Sequence, residues 1–303
     1  MTGAGPGPLA DLHRHLDGSL RPSTLEELAA RAGVTVPADL RFHAGMGLAQ
    51  ALSRFAFTLS LLKTPDAVRR VASEICEDAQ AEGVSTLEIR FAPQLHPGAA
   101  IEAIVDAAAE GVAGRAGLIL CGLYHEPVDV LQRLISVAKT RPAVTGVDLA
   151  GGPVPSGPRL EDFAPAFTRA HELGLGITVH AAEGRPPGEI RIAVEKLHAQ
   201  RIGHGTTLLD DPRITELVIE REVTIEACPT SNVHTGVIGS TREHPLPRWL
   251  QRGVRACICT DNTLHSDVDA KTEHARAAAM PGMTPALLEA AVGFGHAAAF
   301  QRR

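Results

Sequence analysis

The sequence predicts an α/β chain folded as a (β/α)8 TIM-type barrel, with its chemistry at the C-terminal ends of the strands. Three observations predict it. Eight short apolar, β-rich runs alternate with longer segments of helical periodicity, the runs recur without self-similarity, and 303 residues suffice for a fold that typically takes about 250. The runs are Leu9–Leu16, Val84–Ala92, Gly117–Leu123, Val144–Ala150, Leu175–His180, Arg201–His204, Val223–Cys228 and Val254–Thr260. Parallel strands need helical crossovers, and the segments between the runs can supply them. An open doubly wound sheet is the alternative, but no G-x-G-x-x-G follows a run and no G-x-x-x-x-G-K-[ST] occurs.

The crossovers carry their own start signals. Ser23-Thr24-Leu25-Glu26 has capping-box form, followed by Leu25, Leu28, Ala29 and Ala32 on one helical face. Thr64 before Pro65 opens a helix with the stripe Val68, Val71, Ala72 and Ile75, and Asp211 before Pro212 repeats the device ahead of Ile214, Leu217 and Val218. The Pro/Gly-rich stretch from Gly151 to Pro158 reads as a loop on the active face, because periodic structure resumes on both sides, so residues 1–303 read as one domain.

Composition excludes several classes of function. A chain that is 44% hydrophobic and 21% charged is an ordinary globular one rather than a disordered one. Its 35 acids and 29 bases, net charge −6, are interspersed, which argues against a surface that neutralises nucleic-acid phosphates. No apolar run approaches the ~20 residues of a membrane span, and Met1–Ala10 has neither the basic flank nor the apolar core of a signal peptide, so a cytoplasmic location is expected. The five cysteines are odd in number without a C-x-x-C and read as reduced core residues.

The ends of the runs are polar in a coherent way. Run one ends in Asp11-Leu12-His13-Arg14-His15-Leu16-Asp17, run five in His180-Ala181-Ala182-Glu183, run six in Gly203-His204-Gly205 and run eight in Thr260-Asp261-Asn262. His13 and His15, two apart on a strand, point to the same face. With His180 and Asp261 they offer three neutral nitrogens and a carboxylate, a set suited to Zn2+ or another divalent ion.

The motifs also resemble those of a known family. His13-x-His15 within Leu12-His13-Arg14-His15-Leu16-Asp17-Gly18, Asp148-Leu149-Ala150-Gly151, His180-Ala181-Ala182-Glu183, Arg201-Ile202-Gly203-His204-Gly205, Cys228-Pro229-Thr230-Ser231-Asn232 and Thr260-Asp261 are similar, in the same order, to those of the adenosine deaminase family of the amidohydrolase superfamily. The stretch from Leu87 to Gln94 matches as well. Three positions depart from the pattern: Ala182 stands where the family usually has Gly, Asn262 where it has a second Asp, and Gly152-Pro153 where it has an acidic pair. The C-terminal region also looks short.

The resemblance implies hydrolytic removal of the 6-amino group of a purine nucleoside, with adenosine or 2′-deoxyadenosine as the default small-molecule substrate. His13, His15, His180 and Asp261 would hold one Zn2+ or other divalent ion, which lowers the pKa of a water from about 15.7 towards ~7. A single ion is expected because run four, Val147-Asp148-Leu149-Ala150, offers no Lys to bridge two. Glu183 would donate a proton to ring N1, its pKa raised by burial against the purine. His204 would take or hold the proton of the water, with Asp261 as a further acceptor.

Asp17, Gly151, Asn262 and the ligand His15 are the candidate substrate contacts. Gly151 would let backbone approach N3, and Asp17 would meet the sugar, unless it caps a helix at Gly18-Ser19. Asn262 matches the acceptor at N7 and the donor at the 6-amino group, where an ionised Asp could only accept. Ser231 and Asn232 either face the rim or form a plain turn, and Phe55 and Phe57 read as core or lid. His43, His96, His125, His171, His198, His234, His244, His265, His274 and His296 belong to no motif and are expected to be mostly solvated, with His125 and His265 placed to approach the pocket.

Two other functions remain open at this point. One is a deaminase of a modified adenine nucleoside, N6-substituted or aminofutalosine-like, which Asn262 and the altered loops favour. The other is a catalytically silent nucleoside-binding protein, against which stands the joint presence of the ligand set with Glu183 and His204. Cytidine-type deaminases are excluded because no P-C-x-x-C occurs.

Overall fold

Eight strands follow one another around one sheet in chain order, every neighbouring pair parallel: β1 (Leu9–His15), β2 (Val84–Phe91), β3 (Gly117–Leu123), β4 (Val144–Ala150), β5 (Gly176–Ala181), β6 (Arg201–His204), β7 (Thr224–Ala227) and β8 (Arg255–Ile258). This computed structural model describes residues 7–301, so most of the opening segment lies outside the described residues. The ring closes between β1 and the residues after β8. His15 N–H donates to the Asp261 carbonyl at 2.8 Å, and Asp261 N–H donates to the His13 carbonyl at 2.7 Å. Among the described residues no helix is long and apolar enough to cross a membrane.

The caps behave as their chemistry dictates, with one exception. Thr64 and Asp211 accept from the backbone N–H of Ala67 and Arg213 at 3.2 and 2.9 Å, each just ahead of a proline that needs no partner. The capping box expected at Ser23–Glu26 does not form. That helix, Pro22–Ala32, starts earlier, at the proline whose fixed φ sets its first turn, and Arg21 at its N-cap makes no side-chain cap.

Strand alternation sorts the residues into two environments. Leu87, Ile89 and Phe91 of β2, Val147 and Leu149 of β4, and Ile225 and Ala227 of β7 join the apolar core between sheet and helices. The alternate set, Glu88, Arg90, Asp148, Thr178, Arg201 and Glu226, fills the barrel interior with charge. Arg90 on β2 pairs with Asp148 on β4 at 2.9 Å and with Glu226 on β7 at 2.7 Å, and Arg201 on β6 pairs with Glu226 at 2.8 Å and Glu88 at 2.5 Å. Strands that are not neighbours meet this way only across a barrel interior. Removing one partner of such a buried pair costs about 3–5 kcal/mol, because the other charge is left without compensation.

The chain's end closes the bottom of the barrel. Phe300 places its ring 3.6 Å from the Arg201 guanidinium carbon, and its N–H donates to Glu88 at 2.5 Å. Gly146 and Gly176 make room for it, since a Cβ would lie 2.7 and 2.1 Å from the Phe300 ring. The opposite, C-terminal end is left open.

Candidate active site

The predicted ligands meet at that open end. His13 and His15 leave β1, whose register shifts between Asp11 and Arg14, and bring their Nε2 atoms to 3.3 Å. Asp261 Oδ1 lies 3.4 Å from His15 Nε2 and 3.7 Å from His13 Nε2. The His180 ring centroid, at the end of β5, is 4.6 Å from that of His13. Ring nitrogens of His13, His180 and His204 also lie within 4.8 Å of one another, as do a His13 nitrogen, an Asp261 carboxylate oxygen and the Cys228 sulfur. Cys228 is a poor ligand here, because burial pushes its thiol pKa well up.

The barrel interior determines which nitrogens face the centre. His13 Nδ1 lies 2.7 Å from Glu226 Oε2, and His180 Nδ1 lies 3.0 Å from Asp148 Oδ2. Each ring gives its Nδ1 proton to a carboxylate, leaving an Nε2 lone pair towards the centre. Burial, reinforced by Arg90 for His13 and by His180 for His15, holds both imidazoles well below their ordinary pKa and so neutral. Burial would raise Asp148, but His180 and Arg90 outweigh it and hold the carboxylate ionised. Unprotonated nitrogens 3.3 Å apart beside a carboxylate suit a divalent cation.

Glu226 belongs to no motif singled out in the sequence and is the functional residue that sequence reasoning missed. Only its contacts with His13, Arg90, Arg201 and Thr178 reveal it. We expect Glu226→Gln to lower stability by about 3 kcal/mol and weaken metal binding about 10–100-fold. Thermal denaturation and a competitive metal titration check both effects.

A cavity of about 320 Å³ opens above the centre, and His15, Asp17, Gly151, His180, Glu183, His204, Asp261 and Asn262 all line it. Asp17 does not cap a helix. Its Oδ1 is buried without a partner, and burial, with Asp261 nearby, pushes its carboxyl up to about 6. Asn262 Oδ1 is likewise buried and unpartnered. Its amide packs against Gly18, where a Cβ would lie 2.0 Å from that oxygen, so a glycine there is what admits Asn262. Gly151 adopts φ +78° with open space where a Cβ would project. Glu183 Oε1 accepts from Asn232 Nδ2 at 3.0 Å and Thr235 Oγ1 at 2.9 Å, and no hydrogen bond among the described residues reaches Oε2.

The folded site corrects one expectation, on Glu183, and refines two others. Burial alone would raise Glu183, but His204, the Thr235 hydroxyl and His180 prevail and its pKa lies below the ordinary carboxylate value. Asn232 belongs to a six-residue helix, Pro229–His234, and binds Glu183 and His204 rather than forming a plain turn. Of the ten histidines outside the motifs, six are exposed or half-buried, while His96, His244, His265 and His274 are buried. His125 lines the cavity, while His265 stacks on Phe42 with centroids 4.8 Å apart. Phe55 lines the cavity from the helix Leu48–Leu61, and Phe57 packs on the core.

Left-handed backbone gathers at this rim: Ala182 (φ 56°), His204 (φ 68°) and Asp261 (φ 63°). Such conformations cost a non-glycine residue roughly 1–2 kcal/mol and persist where surrounding contacts impose them. At Ala182 the conformation is one that glycine adopts freely, which accounts for the glycine of the related pattern and shows that alanine keeps the same turn at a cost.

A family profile described as "Adenosine deaminase" matches residues 8–300. The adenosine deaminase of Serratia proteamaculans is 35% identical over 307 residues, covering 94% of this chain and 91% of its own. Among solved structures, adenine deaminase from Arthrobacter aurescens superposes with a TM-score of 0.89 at 25% identity, covering 98% of this chain and 94% of that one. The apo N6-methyl-AMP deaminase from Arabidopsis thaliana superposes with a TM-score of 0.82 at 26% identity, covering 97% and 92%.

Proposed function

The chain belongs to the adenosine deaminase family, and on that premise we propose that, as one barrel domain over residues 1–303, it hydrolyses the 6-amino group of adenosine or 2′-deoxyadenosine to give an inosine-type product and ammonia. The observation that carries this reading is the convergence of His15, His180, Glu183, His204 and Asp261 on one cavity, with His13 buried 3.3 Å from His15. His13, His15, His180 and Asp261 would hold one Zn2+ or other divalent ion. When bound, such an ion acidifies a water and makes a nucleophile available near neutral pH.

The chain's own groups do the rest. Glu183, anchored by Oε1, uses Oε2 to deliver a proton to ring N1 as C6 becomes tetrahedral. His204 and Asp261 orient the attacking water. Asp17 and Asn262, which line the cavity, meet the nucleoside's polar edge, and Gly151 lets backbone approach it.

The cavity also speaks to substrate charge. Among the described residues no Lys or Arg lines it, Arg185 sitting behind the lining residue Gly152 and paired with Glu189 at 2.9 Å, while Leu52, Leu95 and Val154 expose apolar surface at its mouth. A 5′-phosphate would find no cation on the described cavity wall itself, so nucleosides are favoured over nucleotides, and the apolar mouth supports a second reading in which the nucleoside carries an apolar substituent. The test is formation of the 6-oxopurine product from adenosine, 2′-deoxyadenosine, N6-methyladenosine and AMP, with ammonia as the co-product, or methylamine in the case of N6-methyladenosine. Turnover of a nucleoside is expected, with AMP at least about a hundredfold poorer in kcat/KM. AMP as the best substrate would overturn the assignment.

Asn262 provides a second check. Asn262→Asp should stay active on the same nucleoside, but its kcat/KM should fall as pH rises. An Asp at this position must carry a proton to donate to N7. The buried wall that pushes Asp17 up to about 6 would likewise raise the introduced carboxyl, so the proton is present at lower pH and lost above its raised pKa. Superimposable pH profiles for the two proteins would mean that residue 262 does not touch N7.

A further inference from the structure

We propose that His244 is a positioning residue of this reaction: acting through the Asn232 amide, it sets the orientation of both Glu183 and His204. The proposal rests on the reading above that those two groups act on the substrate. His244 is not among the residues that line the cavity, and nothing in its local sequence points to a role.

The chain of contacts begins at a backbone amide. Leu246 N–H donates to His244 Nδ1 at 3.1 Å, so the ring carries its proton on Nε2. His244 Nε2 then donates to Asn232 Oδ1 at 3.3 Å. The ring is buried, lies edge-on to Trp249 at 5.2 Å between centroids, and is neutral because burial pushes its pKa down to about 3. It is therefore a fixed donor.

With its oxygen held, the Asn232 amide has one orientation. Its Nδ2 donates one hydrogen to Glu183 Oε1 at 3.0 Å and the other to His204 Nδ1 at 3.1 Å. Turned over, the amide would set its oxygen against the Glu183 carboxylate and the His204 lone pair, and its NH2 against the Nε2–H of His244. Three favourable contacts would become three repulsive ones. Because His204 Nδ1 accepts, the neutral His204 ring carries its proton on Nε2. Asn232 is fully buried, so no water can substitute for the missing donor.

The test compares His244→Phe, which keeps the ring and removes the donor, with His244→Gln, whose amide can still accept from Leu246 and donate to Asn232. Kinetics are run on the best nucleoside of the panel above. For His244→Phe we expect kcat to fall about tenfold, the size of one lost positioning hydrogen bond, with KM and metal content near wild type and the thermal midpoint lowered by a few degrees, because Asn232 Oδ1 and Leu246 N–H lose their partners. His244→Gln should recover most of the loss. Asn232→Asp should lose more, and adding His244→Phe to it should cost little further.

A second readout needs no substrate. Ring nitrogen-15 chemical shifts report which nitrogen carries the proton. His204 should be protonated at Nε2 in the wild type and lose that uniform tautomer in His244→Phe, so the relay and the deaminase assignment fail separately. The proposal is overturned if His244→Phe keeps kcat within twofold and the His204 tautomer is unchanged. It is equally overturned if the Phe and Gln variants both lose activity together with metal or with far more than those few degrees of thermal stability.

Discussion

Glu183→Gln is expected to lower kcat by about 10²–10⁴-fold, with fold and metal content retained. The amide can occupy the same volume, and the Thr235 hydroxyl, 2.9 Å from Oε1, has an acceptor in either case. What the amide cannot do is carry a proton to N1. In the enzyme the carboxyl lies below its ordinary pKa, because His204, Thr235 and His180 outweigh burial, so Glu183 is ionised at neutral pH and must gain a proton before it gives one away. The hydrolytic water is the source the reaction itself provides: its oxygen goes to C6, one proton passes through Glu183 to N1, and the other goes to the 6-amino nitrogen, which departs as ammonia as the C6–N bond breaks. The loss should fall on kcat more than on KM, since the proton is needed in the transition state and not for binding. Single-turnover kinetics on the purified variant decide the matter, and a near wild-type rate would remove Glu183 from the reaction.

His180→Ala is expected to leave a chain without bound metal and without measurable deamination. His180 is held by Asp148 from inside the barrel and projects next to His13, so its loss takes away a ligand that no nearby flexible side chain can replace. It also leaves Asp148 with Arg90 as its remaining ion-pair partner, which limits the cost to the fold. Elemental analysis should find close to one ion per wild-type chain and far less in the variant, with circular dichroism unchanged. Two ions per chain, or full activity in metal-free wild type, would defeat the single-ion reading.

Much of this site was legible because strand periodicity is short and strict. Side chains two apart on β1 share a face, and residues that end parallel strands share a rim, so His13, His15, His180, Glu183, His204 and Asp261 could be grouped from their places in the chain alone. Helix starts at Thr64 and Asp211 were equally legible, because a cap followed by proline is local chemistry.

Other features required the folded chain. Glu226 lies 213 residues from His13, and its carboxylate matters only because β7 faces β1 across a closed interior. Asn232 and His244 are 12 residues apart in a segment of irregular connections, and their hydrogen bond depends on how a six-residue helix packs rather than on any repeat. The ionisation of Glu183 was read with the wrong sign for the same reason: burial can be anticipated from an apolar pocket, whereas the donors and cations that oppose it come from Thr235, His204 and His180, which only tertiary packing brings near. Local pattern thus determined the barrel and the gathering of the candidate ligands and the candidate acid at one rim. Long-range electrostatics and hydrogen bonding, which depend on distances that no spacing in a chain encodes, decided how those groups are oriented and charged.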